Sequence, residues 1–269
     1  MVSQLFDTNT PLVGMVHLPS LPGAPGYDGS REEIRAHALA DARTLVANGF
    51  DSVLIENFGD APFYPEDVPK HVVAEMTAIT REIALAVDAP LGVNVLRNDA
   101  EAALAIAAGA GGSFIRVNVH TGAQVTDQGL LSGDAHKTLR LREQLDADVA
   151  ILADIDVKHA SPLGTRELAA VARETIDRGL ADGLVVSGPE TGKPADTEDL
   201  RTVLAARDEA DRDVPVFLGS GVTLSNAATL LDRADGAIVG TALKHKEETE
   251  QRVDAERVTD MVDAVRSVE

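Results

Sequence analysis

The chain has 269 residues, 44% of them apolar and only 3% aromatic, so a sizeable core of Ala, Val, Leu and Ile is available and disorder is excluded. Against 44 Asp and Glu stand 24 Lys and Arg, a net charge of −20 that repels nucleic acid and anionic membrane surfaces alike. With no cysteine, disulfides, thiolate nucleophiles, zinc–thiolate sites and iron–sulfur clusters are ruled out.

Short runs rich in Val, Ile and Leu alternate with longer segments of helical spacing, the pattern of βαβ units. Residues 1–10 lack a basic segment followed by an apolar run, and no stretch nears the roughly 18 apolar residues of a membrane span, so a cytoplasmic protein without an integral membrane segment is expected. The first strand is predicted over 12–17, followed by a Pro- and Gly-rich loop over 19–29. A helix over 31–47 then places Ile34, Ala38, Ala42 and Leu45 on one face and stops at Asn48-Gly49. The second strand, 52–56, leads into a long connection over 58–70. Further strands are predicted at 91–95, 113–118, 149–154, 183–187, 216–219 and 236–239. The helices between them include 100–108 ending at Gly109, 166–178 ending at Gly179, and one capped by Thr223 or Ser225 that runs to Arg233. Eight such units in a chain of 269 residues point to one (β/α)₈ barrel, a TIM barrel, as a single domain over 1–269; an open doubly wound sheet shows the same alternation.

In a barrel the last inward-facing position of each strand, together with the loop that follows, carries the chemistry. Those strand ends supply His17, Glu56 with Asn57, Asn94, Arg116 with Asn118, Asp154 with Asp156, and Ser187. An imidazole ordinarily titrates near neutral pH, so His17 suits a general acid or base, or else a buried residue bonded to a carboxylate such as Glu56. His120 is the one other histidine expected near the mouth. Asp154, Asp156 and Lys158 share a face through their spacing of two. The two carboxylates can hold one Mg2+ ion or act as a base, and Lys158 can be their ion-pair partner. A Schiff base at Lys158 is less expected than acid–base chemistry, because neighbouring carboxylates keep an amine protonated.

Gly219-Ser220-Gly221-Val222-Thr223 follows the seventh strand and Gly240-Thr241-Ala242 the eighth. Backbone N–H groups in both turns can approach an anion without obstruction by a Cβ, and loops in these two places recurrently bind phosphate in this fold. The loop over 187–194, with Thr191-Gly192-Lys193, lacks the first glycine and the spacing of a Walker motif, so ATP binding on that ground is rejected.

Gly14-Met15-Val16-His17-Leu18-Pro19, Leu21-Pro22-Gly23-Ala24-Pro25, Glu56-Asn57-Phe58-Gly59-Asp60-Ala61-Pro62-Phe63 and Ser187-Gly188 with Thr191-Gly192 resemble the BtpA/SgcQ family, along nearly the whole chain. The low Lys content, six of the 24 basic residues, resembles a halophilic archaeal member. This resemblance implies a phosphate-binding type of barrel, a family name taken from photosystem I biogenesis, and relatives in sugar metabolism; it brings no catalytic residues with it.

Three functions stay open. The first is an isomerase- or lyase-like enzyme acting on a phosphorylated sugar or nucleoside-derived phosphate. It would use His17, Glu56, Asp154 and Lys158 for catalysis, and Asn94, Arg116, Asn118, Ser187, Gly219, Ser220, Gly221, Gly240 and Thr241 to bind substrate. The second is a non-catalytic assembly factor that binds a protein partner. The third is a magnesium-dependent phosphohydrolase built on Asp154 and Asp156. A homo-oligomer is the common state of barrels of this size.

Overall fold

Strand alternation in the sequence becomes a closed barrel once the strands find their neighbours. The computed structural model describes residues 5–6, 8–155, 160–188 and 196–267. Its strands are β1 (Leu12–His17), β2 (Ser52–Glu56), β3 (Leu91–Asn94), β4 (Phe114–Val117), β5 (Ala123–Thr126), β6 (Gly129–Ser132), β7 (Ala150–Asp154), β8 (Ala160–Pro162), β9 (Gly183–Val186), β10 (Val216–Leu218) and β11 (Gly236–Val239). The helices are α1 (Arg31–Ala47), α2 (Lys70–Ala84), α3 (Ala100–Ala110), α4 (Ala135–Gln144), α5 (Leu168–Asp177), α6 (Thr197–Asp208), α7 (Ala227–Leu231) and α8 (Ala255–Arg266). Eight parallel strands close in the order β1-β11-β10-β9-β7-β4-β3-β2, which makes the fold a (β/α)₈ barrel rather than an open sheet.

Strand pleating splits the core in two. Inward-facing Val13, Met15, Leu54, Phe114, Ala150, Leu152, Val185, Phe217 and Ile238 fill the barrel. Outward-facing neighbours such as Val16, Val53 and Ile55 join Ile34, Leu45, Met76 and Ile79 of the helices in a second, larger cluster. Gly92 makes room for the ring of Phe114, since any Cβ there would overlap it. Phe6 plugs the N-terminal end of the barrel against Phe114 and Phe217, with ring centroids 6.4 and 6.2 Å apart. Gly236 makes room for Phe217 in the same way, and these glycine–phenylalanine pairings let the few large rings pack among small side chains.

Helix ends follow local capping with two corrections. Ser30 accepts a hydrogen bond from the Glu33 amide to open α1, and Gly49 closes it at φ +97°, as the sequence suggests. Helix α3 passes through Gly109 and stops only at Gly111, which takes the left-handed conformation at φ 90°. Neither Thr223 nor Ser225 caps α7. Asn226 forms the turn instead, accepting from the Thr223 amide at 2.8 Å and donating to the Gly221 carbonyl at 2.9 Å. An unpredicted three-stranded antiparallel sheet, β6-β5-β8, rises from the segments after β4 and β7. Among the described residues no helix is long and apolar enough to cross a membrane.

Candidate functional site

The period of two along each strand turns the polar strand ends toward a common floor at the C-terminal mouth. Arg116 is the hub: its Nε and Nη2 lie 3.0 to 3.3 Å from both oxygens of Asp154, and its Nη2 donates to Ser187 Oγ at 3.3 Å. Asn118 Nδ2 donates to Asp154 Oδ2 at 2.9 Å. Asn94 Nδ2 donates in turn to Asn118 Oδ1 at 3.1 Å and to the Arg116 carbonyl at 3.0 Å. Gly219 makes this layer possible, since a Cβ there would stand 2.5 Å from Ser187 Oγ and 3.1 Å from Arg116 Nη2. Burial by itself lowers the pKa of Arg116, but the charges of Asp154 and Glu56 outweigh it and the net shift is upward. Arg116 is therefore a permanent cation under the mouth.

Beside this floor stand His17 and Glu56, paired in register on β1 and β2, with Nε2 to Oε1 3.8 Å. The Phe58 ring tilts against the imidazole, centroids 5.0 Å apart at 58°. The loops carrying these groups are laced together. Leu18 N donates to the Glu56 carbonyl, Gly59 N to the Leu18 carbonyl and Ser20 Oγ to the Gly59 carbonyl, at 2.8, 2.9 and 2.6 Å. Leu21 N donates to Asp60 Oδ1 at 2.7 Å, and Asn57 bridges Asp60 Oδ2 and the Leu96 amide at 3.1 and 2.7 Å. Burial raises the pKa of Asp60, against the lowering effect of its bonds to Leu21 and Asn57. The histidine–proline and Glu-Asn-Phe-Gly-Asp segments thus owe much of their shape to holding three loops around one rim.

Over floor and rim opens a cavity of about 910 Å³. His17, Glu56, Arg116, Asn118 and Asp154 line its base, and the turns Gly219–Thr223 and Gly240–Ala242 line one side. Gly221 has φ +67°, and the N–H groups of Gly221 and Val222 donate to no acceptor among the described residues. Ser220 Oγ accepts from Gly188 N at 2.7 Å, fastening the segments after β9 and β10. Gly240 abuts the imidazole, where a Cβ would lie 2.9 Å from His17 Cε1. Below this turn Lys244, 1% exposed, sits 3.2 Å from Asp41; burial lowers its pKa and the Asp41 charge opposes that.

His17, Glu56, Arg116, Asn118, Asp154, Gly219, Ser220, Gly221, Gly240 and Thr241 meet at this cavity. Asn94 and Ser187 do not line it; they lie beneath and brace Arg116 and Asn118. His120 also stays out of the cavity. Its Nε2 lies 2.8 Å from the Gly179 carbonyl, and burial lowers its pKa. Asp156, Lys158 and Thr191-Gly192-Lys193 fall outside the described residues. Among the described residues no cluster of three or more His, Asp or Glu side chains is arranged to hold a metal ion. Sequence reasoning missed Arg97, Phe58 and Phe63, all on the cavity wall after β2 and β3. Arg97 lies three residues past Asn94, where strand alternation has ended and no periodic signal marks it.

The BtpA family model matches residues 8–267. The chain is 45% identical over 262 residues to the photosystem I biogenesis protein BtpA of Synechocystis sp., covering 97% of this chain and 90% of that protein. It is 43% identical to an uncharacterized protein of Pyrococcus furiosus, covering 97% of each. An uncharacterized mitochondrial protein of Caenorhabditis elegans is 30% identical, covering 99% of this chain and 97% of that one. Among solved structures, tryptophan synthase of Mycobacterium tuberculosis superposes with TM-score 0.62 at 18% identity, covering 97% of this chain and 92% of that one. Phosphoribosyl anthranilate isomerase of Thermus thermophilus superposes with TM-score 0.59 at 12% identity, covering 97% and 100%. Identities this low carry the barrel fold alone.

Proposed function

The chain belongs to the BtpA family, and from that footing we propose that it is an enzyme of acid–base chemistry on a phosphorylated sugar or nucleoside-derived phosphate. One observation carries the reading: a single cavity is lined both by the Gly219–Thr223 turn and by the His17–Glu56 pair. The turns after β10 and β11 hold the phosphate through backbone N–H groups, so the reacting carbon is delivered to His17 and Glu56 at the same strand ends. An imidazole and a carboxylate at 3.8 Å can divide the roles of proton donor and acceptor, and such pairs draw closer when substrate binds. Arg116 places a fixed positive charge under the reacting group, suited to an oxyanion that forms as a proton leaves carbon.

Asp154 acts in this reading by positioning Arg116. Both its oxygens are engaged by Arg116 and Asn118, which supports a positioning carboxylate over a magnesium ligand. The isomerase that shares the fold is named for a phosphoribosyl substrate, and this supports the same class of ligand. The name of the Synechocystis relative supports the second reading, an assembly factor. Against that reading stands the buried polar floor, which a protein used only through its outer surface has no need to maintain. The charge of −20 supports work in a cytoplasm of high ionic strength.

Thermal unfolding in molar KCl against sugar phosphates and nucleotides tests the proposal, because ligand at a hundred times its Kd stabilises by about 2.7 kcal/mol. A raised midpoint that disappears in Gly221→Val upholds it. A flat panel with intact protein overturns it in favour of the assembly factor.

A further inference from the structure

Building on the phosphate-anchoring reading, we infer that the ligand is a nucleoside monophosphate whose base lies on a wall made by Phe58 and Phe63. This chain is sparing with aromatic residues: six Phe, two Tyr and no Trp. Phe50, Phe114 and Phe217 are buried in the core, and Phe6 packs on the barrel interior. Phe58 and Phe63 alone among the six belong to no hydrophobic cluster of the described residues; both are half-buried and both line the cavity. Phe58 and Phe63 thus bring two half-buried rings to the cavity wall, Phe58 with one side against the His17 imidazole. They gain a good deal from the π-face of a heterocycle.

Position and rigidity argue for the same occupant. In the closed ring of strands β3 stands opposite β10, so the wall after β2 and β3 faces the amide turn at Gly221 across the mouth. A ligand anchored by phosphate on one side and stacked on the other carries its ribose across the middle, above His17 and Glu56. The loop that bears both rings is held by Asn57, Asp60 and Ser20. Gly59 packs so close to the backbone of residues 18–20 that a Cβ there would overlap it. Stacking on a wall fixed in advance loses little entropy on binding. The volume, about 910 Å³, lies in the upper part of the range for small-molecule sites and exceeds what a pentose phosphate fills.

Calorimetric titration in molar KCl with inorganic phosphate, ribose 5-phosphate, adenosine 5′-monophosphate and uridine 5′-monophosphate tests the inference. The expected result is that one or both nucleotides bind about tenfold or more tightly than ribose 5-phosphate. In Phe63→Ala that advantage is expected to vanish while ribose 5-phosphate binds as before, and in Phe63→Trp it is expected to persist. Nucleotides that bind no better than ribose 5-phosphate overturn the inference and leave phosphate anchoring standing. Equal weakening of every ligand by Phe63→Ala also overturns it, since Phe63 then only shapes the loop. If none of the four probes binds the folded protein, the anchoring reading falls and this inference with it.

Discussion

Arg116 grips both carboxylate oxygens of Asp154 in a fork-to-fork arrangement, with the two side chains 5% and 2% exposed. A buried pair of this kind is tolerable only while both charges are present. Arg116→Met, which leaves Asp154 charged and uncompensated, is expected to destabilise the fold by about 3–5 kcal/mol in denaturant unfolding. The double variant Arg116→Met/Asp154→Leu is expected to lose less than the sum of the two single losses. Strict additivity would show that the two charges do not depend on each other.

Two glycines in one turn are expected to fail differently. Gly219→Ala forces a methyl group into Ser187 Oγ and Arg116 Nη2, and unfolding is expected to register a loss of about 1–3 kcal/mol. Gly221 sits at φ +67°, a conformation a β-branched residue adopts at a cost, so Gly221→Val is expected to cost about 1–2 kcal/mol of stability. Its β-branched side chain stands in the path of an anion, and the midpoint shift produced by phosphate esters is expected to vanish. A retained shift would move the anion site elsewhere.

His17→Gln and Glu56→Gln address chemistry rather than binding. Each is expected to lower turnover by about 10²–10⁴-fold on whichever phosphate ester raises the unfolding midpoint, while that ester still raises the midpoint of the variants. Full turnover in both variants would remove the pair from the mechanism.

His120 makes stability depend on pH. Burial, the largest influence, lowers its pKa below 6.5, against smaller raising effects of the Gly179 carbonyl and Asp182. The unfolded chain therefore takes up a proton near pH 6.5 while the folded chain does so only at lower pH. Stability is complete above that value and falls as pH drops from 6.5 toward the folded pKa. Unfolding free energies measured down this range are expected to show a shallower fall in His120→Gln. An unchanged slope would assign the pH dependence to other groups.

Salt should stabilise this chain. Forty-four acidic against 24 basic residues repel one another over a screening length of about 10 Å at 0.1 M salt and about 3 Å at 1 M. The unfolding midpoint is expected to climb steadily with KCl, and a midpoint indifferent to KCl would mean that the surface charges are already paired.

Local periodicity was enough to determine the eight strand–helix units, because whether Val53 and Ile55 face out while Leu54 faces in depends only on the pleat. The same alternation marked His17, Glu56, Arg116 and Asp154 as inward strand ends, and all four line the cavity. Closure of the ring depended on which strands are neighbours, a long-range choice that an open sheet satisfies with the same local pattern. Tertiary packing also decided that Asn94 and Ser187 lie beneath the cavity, where they brace Arg116 and Asn118. It decided that α3 ends at Gly111 and not Gly109, in a stretch where several glycines offer a stop. Arg97, Phe58 and Phe63 reach the cavity from the connections after β2 and β3, beyond the strand alternation that links sequence position to direction. Their places are set by hydrogen bonds such as Asn57 to Leu96, between residues 39 apart in the chain.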